Sequence, residues 1–375
     1  LKNEWVVQVE GVVRLRPQDQ FNPRMTTGEI EVEAHHVSVL NPAKPLPFVV
    51  NREEDVDENI RLKYRYLDLR REKMRRNLEI RHNAVFFMRK YLSEHGFIEV
   101  ETPSLFKTTP EGARDYLVPS RIYPGQFYAL PQSPQQLKQL LMVAGIDRYF
   151  QIARCFRDED LRGDRQPEFT QLDMEMAFVE RDDVLELVED LFTKMLAEVA
   201  PDKKMLNSPW PRLTYEESMQ RFGTDKPDLR FGLELFDASA IFMQSDFMVF
   251  KTALESGGVI KCIVAPDCAS YTRKQLDMLT EQARSLGAKG LVSLALQVDG
   301  IKGSGAKNIA EEQVDQLAKA TGAKTGDLIL LVAGESKVVN KVLAALRMTF
   351  RDSLNLVDKD VMGFAFIVDF PMFDW

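Results

Sequence analysis

Residues 156–175, which decide the fold around them, read Phe-Arg-Asp-Glu-Asp-Leu-Arg-Gly-Asp-Arg-Gln-Pro-Glu-Phe-Thr-Gln-Leu-Asp-Met-Glu and contain three arginines and seven carboxylates. The apolar runs Tyr149-Phe-Gln-Ile-Ala153 and Met176-Ala-Phe-Val179 border this charged stretch on its two sides. Short apolar runs around a polar segment are typical of two strands joined by a loop. We therefore predict a β-hairpin that contacts an ionic ligand, and the alternative is a solvated charged hairpin.

Two features of this hairpin suit a nucleotide. An arginine presents paired N–H donors that match phosphate or carboxylate oxygens. Pro167 and Phe169 place an aromatic ring where it can stack on a flat base. Together they predict a nucleotide that is held at its phosphates and at its base.

Composition indicates a globular protein of two or three domains, because the chain has 375 residues, of which 45% are hydrophobic and 28% charged. No apolar run approaches the length of a membrane span, and no signal peptide is recognisable. Cys155, Cys262 and Cys268 form no paired framework. We expect them to be core thiols in a reducing cytoplasm.

The ends of the chain resemble the interior of a longer polypeptide. It begins at Leu1 rather than at a methionine, and it ends at Trp375 directly after the strand-like run Phe364–Phe370. We expect the sequence to be a portion of a larger protein.

Positive charge is concentrated near the first third of the chain. The net charge is −8, which argues against nonspecific coating of nucleic acid, yet nine Lys and Arg against three acids lie between Arg61 and Arg81. This segment could steer a phosphate backbone, or it could be the solvated face of a helix. Both interpretations are open at this point.

Secondary structure follows from periodicity and from capping residues. Residues 5–15 and 29–40 alternate as two strands. Residues 79–95 predict a helix that Gly96 ends, and a strand follows at 97–100. The remaining elements before residue 230 are a loop at 108–115, a strand at 127–130, a helix from the cap Ser133 to 144, a helix at 181–199 and a capping box at Thr214–Glu217.

From residue 230 the pattern changes to alternating strands and helices. Strands are predicted at 259–264, 290–296 and 327–333, and helices at 272–286, 309–321 and 336–350. We expect a separate α+β unit. Within it, Gly303-Ser-Gly-Ala-Lys307 lacks the spacing of a phosphate-binding loop, so we interpret it as a turn.

A second candidate binding segment is Ser133-Pro-Gln-Gln-Leu-Lys138. The start of a helix collects anions and polar groups. By itself the motif is better explained as an N-cap followed by a surface lysine. However, Glu111, Gln171 and Asp173 could hold an ammonium group, Lys138 a carboxylate and Arg157 a phosphate. This set predicts a site for an acidic amino acid beside ATP.

The chain resembles bacterial-type aspartyl-tRNA synthetases, which are class II aminoacyl-tRNA synthetases, over essentially all of its length. The matching segments are Tyr64-Arg-Tyr-Leu-Asp-Leu-Arg-Arg71, the helix and strand before Pro103, Thr109-Pro-Glu-Gly-Ala-Arg-Asp-Tyr116, Ala129-Leu-Pro-Gln-Ser-Pro-Gln135 with Lys138, residues 156–175, and Thr224-Asp-Lys-Pro-Asp-Leu-Arg230.

This resemblance implies an α+β multidomain fold. The implied parts are the end of an OB-fold anticodon-binding barrel (1–45), a hinge (46–78), the first part of an antiparallel-sheet catalytic domain (79–231), a bacterial-type α+β insertion domain (232–356) and a return to the catalytic domain (357–375).

The resemblance also implies roles for individual residues. Arg157 would hold the α-phosphate and the aspartate carboxylate, and Phe169 would stack on adenine. Asp158, Glu159 and Gln166 would lie beside ATP. The aspartate contacts would come from Glu111, on a closing loop, and from Ser133, Gln135, Lys138, Gln171 and Asp173.

The implied reaction is ATP-dependent formation of aspartyl-adenylate, followed by transfer of aspartate to tRNA(Asp) and, as an open alternative, also to tRNA(Asn). A cytoplasmic homodimer is implied, with Ile80–Pro103 at its interface. The third family motif, the second ATP-binding arginine and most Mg²⁺ ligands would lie beyond Trp375, so we expect the segment alone to be inactive.

Three other classes of protein are alternatives to an aspartyl enzyme. Asparaginyl and lysyl enzymes share the scaffold, but Lys138 discriminates on charge, because a lysine substrate needs an acid at that position and asparagine gives a buried lysine no ion pair. A noncatalytic tRNA-binding protein would not need Arg157, Gln135 and Lys138 together.

Overall fold

The computed structural model describes residues 1–23, 25–52, 54–109, 111–160 and 163–373. The chain forms two compact units, Leu1–Asn83 and Ala84–Trp375.

The first unit contains a two-stranded antiparallel sheet of β1 (Val6–Leu15) and β2 (Ile30–Asn41), which confirms both strands predicted there. Helices α1 (Glu58–Lys63) and α2 (Arg65–Asp68) follow, and then α3 (Glu72–Glu94). Asp57 caps α1, since its Oδ1 accepts from the backbone N–H of Asn59 at 2.9 Å.

Part of the basic segment is arranged around one buried acid. Asp68 is fully buried, and it accepts hydrogen bonds from Arg61 at 2.9 Å and from Arg65 at 2.5 Å. The Arg61 hydrogen bond holds the pKa of Asp68 below its ordinary value, against the effect of burial. Arg71 Nη1 lies 3.6 Å from the same carboxylate. The segment therefore has a packed side as well as an exposed one.

Helix α3 begins at Glu72 rather than at the predicted residue 79. The apolar periodicity that predicts a helix begins only at Ile80, and the buried side chains of α3 are Phe87, Tyr91 and Leu92. The preceding turns contain charged residues without Gly or Pro, and an i,i+4 pair joins Arg75 to Glu79 at 3.4 Å. The end of α3 is as predicted, because Gly96 adopts a φ of +79°.

The second unit opens with the elements that carry the candidate site. These are β3 (Ile98–Glu99), β4 (Leu117–Pro119), β5 (Phe127–Ala129), α4 (Gln135–Val143), β6 (Arg148–Phe156), β7 (Glu168–Met176), α5 (Arg181–Val199), β8 (Lys204–Met205), β9 (Arg212–Thr214) and α6 (Tyr215–Arg221). The hairpin, the helix at 181–199 and the capping box of Thr214 and Glu217 are confirmed.

Strands β6 and β7 pair antiparallel from Arg148↔Met176 to Phe156↔Glu168, and β3 adds to β6 in parallel. Strand β7 alternates, because Leu172, Met174 and Met176 pack into a core with helices α3 and α5. Phe87 and Leu191 are buried members of that core. The opposite face of the hairpin is consequently left for polar side chains.

The rest of the second unit is an α+β unit with a five-stranded antiparallel sheet in the order β10-β11-β14-β12-β13. Its elements are β10 (Phe236–Asp237), α7 (Met248–Glu255), β11 (Val259–Ala265), α8 (Arg273–Ser285), β12 (Val292–Gln297), β13 (Gly300–Lys302), α9 (Glu311–Thr321), β14 (Leu328–Gly334) and α10 (Ser336–Ser353).

Both faces of this sheet are covered. Helices α8 and α10 pack on one face, and α7 and α9 on the other. All three predicted strands and all three predicted helices of this region are present. The sequence did not predict α7 or the short edge strands β10 and β13. The segment at 303–307 forms a turn, and Gly303 has a φ of +120° where a Cβ would meet Ser293 O.

Helix α10 is fastened to the segment that precedes the sheet. The Arg347 guanidinium is buried, and its Nη2 donates to the carbonyls of Asp228, Phe231 and Gly232 at 2.7 to 3.0 Å. It also lies 4.0 Å from the centroid of the Phe231 ring. Burial lowers the pKa of Arg347 to about 10.

The chain returns toward the first elements of this unit in two short strands. β15 (Val361–Met362) pairs in parallel with β8, and β16 (Phe366–Val368) pairs in parallel with β9. The three cysteines are buried free thiols, as predicted. Among the helices within the described ranges, none has the length and apolar character that crossing a membrane requires.

Candidate functional site

The polar face of the β6–β7 hairpin is the centre of the candidate site. Alternation along β7 places Phe169, Gln171, Asp173 and Glu175 on the face opposite the core of Leu172, Met174 and Met176. Their partners across the ladder are Cys155, Ala153, Gln151 and Tyr149. Of these eight residues, the sequence prediction included Phe169, Gln171 and Asp173.

Helix α4 brings Lys138 onto this face. Its ammonium group is buried, and Nζ lies 2.8 Å from Asp173 Oδ1 and 3.3 Å from Glu175 Oε2. Glu175 was not predicted, although it continues the alternation of Gln171 and Asp173. An ammonium has three N–H donors, so Lys138 retains a third for a ligand.

Asp173 keeps an acceptor available in the same place. Its Oδ2 is buried and receives no hydrogen bond in the described part of the chain. A buried carboxylate oxygen without a donor is costly, by about 1–3 kcal/mol or more. This oxygen therefore favours a ligand ammonium or a donor from a neighbouring side chain.

Ser133 does not cap helix α4 as predicted. Pro134 is the N-cap residue, and it makes no side-chain cap hydrogen bond. The Ser133 hydroxyl instead donates to Glu111 Oε2 at 2.7 Å. A capping serine would accept from backbone N–H groups of the first helical turn, whereas here the helix starts one residue later and the Ser133 hydroxyl donates its proton to a carboxylate of the polar loop. The structure thus joins two predicted site residues, Glu111 and Ser133.

Gln132 is a residue that the sequence prediction missed. Its side chain is buried; the Oε1 accepts from Ala113 N at 3.1 Å, and the Nε2 donates to Ala113 O at 2.9 Å and also to Asp115. The loop that carries Glu111 is therefore held from two adjacent positions. The only sequence signal for a role of Gln132 is its position directly before Ser133. The polarity of a glutamine does not reveal that its side chain is buried.

Arg157 leaves the end of β6 beside the ring of Phe169. Its guanidinium carbon lies 5.1 Å from the ring centroid, and its Nε is buried with no hydrogen-bond partner among the described residues. Arg157 N donates to Pro167 O at 2.9 Å, which closes the base of the loop. The predicted phosphate-binding and base-stacking residues are therefore in contact.

Cys155 is buried behind these groups. Burial is the main cause that raises the pKa of its thiol to about 11, and the charges of Asp173 and Glu111 add to this, while Arg157 opposes it. Its Sγ lies 3.3 Å from Gln171 Oε1. The thiol is thus a neutral donor to Gln171 and not a nucleophile at neutral pH.

The loop after Arg157 lines an open cavity of about 560 Å³ together with the Glu111 loop. Its lining residues are Gly112, Ala113, Arg114, Asp158, Glu159, Asp160 and Arg165. Asp158 N donates to Arg114 O at 3.0 Å, and Arg165 lies 3.6 Å from Glu159. Gln135 and Gln166 are both exposed. Neither side chain makes a hydrogen bond within the described ranges.

Chemically, the site combines cationic and anionic groups within one face. Lys138 and Arg157 suit carboxylate or phosphate oxygens, while Glu111 and Asp173 suit an ammonium group. A small molecule with both kinds of charge, adjacent to a phosphate, matches this set. The cavity beside Asp158 and Arg165 offers room for the remainder of a nucleotide.

Comparison with known proteins gives a family match. The family model described as tRNA synthetases class II (D, K and N) matches residues 57–374. An aspartate–tRNA(Asp/Asn) ligase of Dehalococcoides mccartyi is 54% identical over 385 residues, covering 100% of this chain and 64% of the relative. One from Rubrobacter xylanophilus is 54% identical over 375 residues, covering 100% of this chain and 62% of the relative.

This chain therefore spans less than two thirds of the length of these relatives. Among solved structures, an asparaginyl-tRNA synthetase of Entamoeba histolytica in complex with asparaginyl-adenylate overlaps with a TM-score of 0.49 and 16% identity, over 92% of this chain and 81% of that one. Family membership rests on the sequence matches and not on this overlap.

Proposed function

The chain belongs to the class II tRNA synthetases of the D, K and N group, and from this premise we propose that it is part of an aspartate–tRNA ligase. The three letters stand for aspartate, lysine and asparagine. The protein would activate L-aspartate with ATP and transfer it to the 3′ end of tRNA(Asp). The curated relatives named above carry the name of a ligase for both tRNA(Asp) and tRNA(Asn), so we include tRNA(Asn) in the proposal.

The observation that carries the choice of aspartate is the buried ammonium of Lys138 on the polar face of the hairpin. A substrate with a side-chain carboxylate takes the third N–H of this group. A lysine substrate would bring a second ammonium to it, and asparagine would bring no charge. Ion pairs with Asp173 and Glu175 orient the Lys138 ammonium before the substrate arrives.

The α-ammonium of aspartate would be held by carboxylates. Glu111 supplies one from the loop, and Ser133 orients it through the 2.7 Å hydrogen bond. The Asp173 carboxylate supplies further acceptor lone pairs, and Gln171 and Gln135 complete the amino acid contacts. Substrate binding would thereby fix the Glu111 loop over the amino acid.

Arg157 would act at the reacting atoms. Its fork of N–H donors suits both the α-phosphate of ATP and the carboxylate of aspartate, and its buried Nε has no partner in the described structure. Holding both groups brings the carboxylate oxygen into line with phosphorus, and the positive charge stabilises the developing negative charge. Aspartyl-adenylate forms and pyrophosphate leaves. The 3′-terminal hydroxyl of the tRNA then attacks the aspartyl carbonyl carbon, so that the aspartyl group passes to the tRNA and AMP leaves.

Phe169 would stack on adenine, and Asp158, Glu159 and Gln166 would lie beside the rest of ATP. The contact of Phe169 with Arg157 supports this role, because it leaves the cation next to the ring and thus near the phosphate of a stacked nucleotide. Asp158 and Glu159 line the cavity where that nucleotide would lie.

Mg²⁺ is expected with ATP. Within the described residues, no group of three or more His, Cys, Asp or Glu side chains could hold a metal ion.

For the remaining parts of the chain, we propose the domain order implied by the resemblance. Residues 1–45 would complete an OB-fold that binds the anticodon, 46–78 would be the hinge, 79–231 and 357–375 would be catalytic, and 232–356 would be the bacterial insertion. The long antiparallel β1–β2 pair and the five-stranded sheet support the first and the last of these assignments.

We also propose a cytoplasmic homodimer. Phe86, Ile98 and Leu105 are each more than half exposed, in or beside the segment Ile80–Pro103. Large apolar side chains at a surface suit a protein partner. Three buried, unpaired cysteines suit a reducing compartment.

Aspartate-dependent exchange of pyrophosphate into ATP tests the proposed activity. The full-length protein should catalyse exchange with aspartate, and at least about a hundredfold less with asparagine or lysine, since a missing charge partner in a buried site costs about 3 kcal/mol. Equal exchange with asparagine would contradict the assignment. Aminoacylation of purified tRNA(Asp) and tRNA(Asn) then distinguishes the two tRNA specificities.

A further inference from the structure

Three polar side chains, of which Tyr149 and Gln151 are buried and Thr102 is half-buried, form a hydrogen-bonded chain next to Asp173. Tyr149 is fully buried on β6, and its hydroxyl donates to Gln151 Oε1 at 2.9 Å. Thr102 Oγ1 donates to the same oxygen at 3.0 Å. Gln151 lies directly opposite Asp173 in the hairpin ladder. None of these three residues has a role in the function proposed above.

One buried acceptor next to these three side chains is left without a hydrogen-bond donor. Gln151 Oε1 accepts twice, whereas Asp173 Oδ2 is buried and receives no hydrogen bond in the described part of the chain. The phenol has a single proton, so it can serve Gln151 or Asp173 but not both. A carboxylate is the stronger acceptor of the two.

Rotating the side-chain amide of Gln151 by half a turn provides a donor for Asp173 Oδ2. Nε2 then occupies the position of Oε1 and donates its two protons to Tyr149 Oη and Thr102 Oγ1. The phenol proton is freed for Asp173 Oδ2. Thr102 and Gln151 both line an open cavity of about 460 Å³, so water can reach the polar atoms that the rotation frees.

Resting on the function proposed above, we propose that Tyr149 is a positioning residue, whose hydroxyl donates to Asp173 Oδ2 and is itself held by Gln151 and Thr102. The hydrogen bond fixes the Asp173 carboxylate, and Asp173 Oδ1 in turn fixes the Lys138 ammonium at 2.8 Å. The chain Thr102–Gln151–Tyr149 thus sets the geometry that recognises the substrate carboxylate. Burial first, and then the charge of Asp173, raises the pKa of Tyr149, so the phenol stays protonated as a donor.

The test compares Tyr149→Phe with the wild-type full-length protein in the exchange assay. The KM for aspartate should rise about tenfold, which corresponds to about 1.4 kcal/mol, while the KM for ATP should change less than about twofold. Thr102→Val should shift the aspartate KM in the same direction by a smaller factor. This second variant keeps the test decisive if Tyr149→Phe does not fold.

Tyr91→Phe is the matched control. Tyr91 is also buried, and its hydroxyl donates at 2.5 Å to Asp190, an aspartate that is not part of the proposed site. It should leave both KM values unchanged. An unchanged aspartate KM in Tyr149→Phe, or equal rises for aspartate and ATP, would overturn the proposal.

The failure of the proposed function is separable from this result. If the wild-type protein shows no aspartate-dependent exchange, the function itself is wrong. The hydrogen-bond arrangement is then tested independently of enzyme activity, by measuring how fast the protons of the ¹⁵N-labelled Gln151 side-chain amide exchange with solvent. Slow exchange in the wild type that becomes fast in Tyr149→Phe supports the arrangement, and fast exchange in both contradicts it.

Discussion

The Nζ atom of Lys138 lies 2.8 Å from the Oδ1 atom of Asp173, which joins helix α4 to the second strand of the central hairpin. Both side chains are about nine-tenths buried. An ion pair with so little solvent is strongly affected by the loss of either partner. The pair also holds the Lys138 side chain in place on the face where an anionic ligand would bind.

Removal of this ammonium should damage aspartate binding selectively. In Lys138→Leu we expect the affinity for aspartate to fall by at least about a hundredfold, because breaking a buried pair costs about 3–5 kcal/mol. ATP affinity should change by less than about threefold, since Arg157 and Phe169 lie elsewhere on the hairpin. Calorimetric titration of each ligand separates the two effects.

Lys194→Leu is the control for this substitution. Lys194 lies 2.7 Å from Asp190, yet that pair is exposed, and exposed pairs contribute only about 0–1 kcal/mol. It should bind both ligands as the wild type does. Equal losses of aspartate and ATP affinity in Lys138→Leu would be incompatible with the role proposed for Lys138.

The Gln132 amide should control the loop that carries Glu111. In Gln132→Leu the hydrogen bonds to Ala113 N, Ala113 O and Asp115 disappear. We expect the aspartate KM to rise about tenfold, from the loss of about 1.4 kcal/mol of loop positioning. Hydrogen–deuterium exchange should show faster exchange at the Ala113 amide, and aspartate should restore part of the protection.

The matched variant is Gln282→Leu, in which a half-buried amide loses a hydrogen bond of 2.9 Å to Thr349, far along the chain from the site. It should not alter the aspartate KM. An Ala113 amide that exchanges equally in wild type and Gln132→Leu would show that Gln132 does not hold the loop.

Arg347 should be needed as an arginine. Its Nη2 donates to three carbonyls while the planar guanidinium lies over the Phe231 ring, and the ammonium of a lysine cannot reproduce this flat stacking contact. Arg347→Lys should therefore lower the free energy of unfolding by about 2–3 kcal/mol in urea denaturation. Arg273→Lys, at a position that is 96% exposed, should change it by less than about 0.5 kcal/mol. If both variants have the same free energy of unfolding, the Arg347 contacts do not stabilise this unit.

The Asp68 carboxylate should make the free energy of unfolding fall in acid. Its pKa is lower in the folded state, chiefly through the hydrogen bond from Arg61. The stabilisation is therefore fully present above the ordinary value of 3.8, and it is lost as the pH falls through the lower folded-state pKa. In urea denaturation, the difference between wild type and Asp68→Asn should be constant from about pH 7 to 5 and should shrink below about pH 4.

An exposed aspartate provides the comparison. Asp19→Asn, at an exposed position in the first unit, should follow the wild-type curve at every pH. If the difference between wild type and Asp68→Asn were the same at pH 3 and pH 7, the carboxylate of Asp68 would not be the group that stabilises the fold.

The hairpin could be predicted from the sequence because charge and apolar residues are separated along the chain. Arg157 and Phe169 lie together as that pattern predicted, and Lys138 lies on the same face. Long elements with complete caps, such as α5 and the helix that Thr214 caps, were also predictable. Short edge strands such as β10 and β13 have too few residues for a period to be visible.

Buried polar residues were the part that could not be predicted. A single sequence shows that Gln132 and Gln151 are polar, but not that their side chains are buried against partners 19 and 49 positions away. Ser133 was assigned to a helix cap because its local sequence fits one, while a carboxylate from a distant loop is its actual partner. Such contacts depend on tertiary proximity and not on local propensity.

The most direct test of the central claim is pyrophosphate exchange by the full-length protein with aspartate, asparagine or lysine as the only amino acid. The charge of Lys138 and the geometry of its pair with Asp173 predict exchange with aspartate, and rates at least about a hundredfold lower with the other two. Comparable rates with asparagine or lysine, or no exchange with aspartate, would contradict the account.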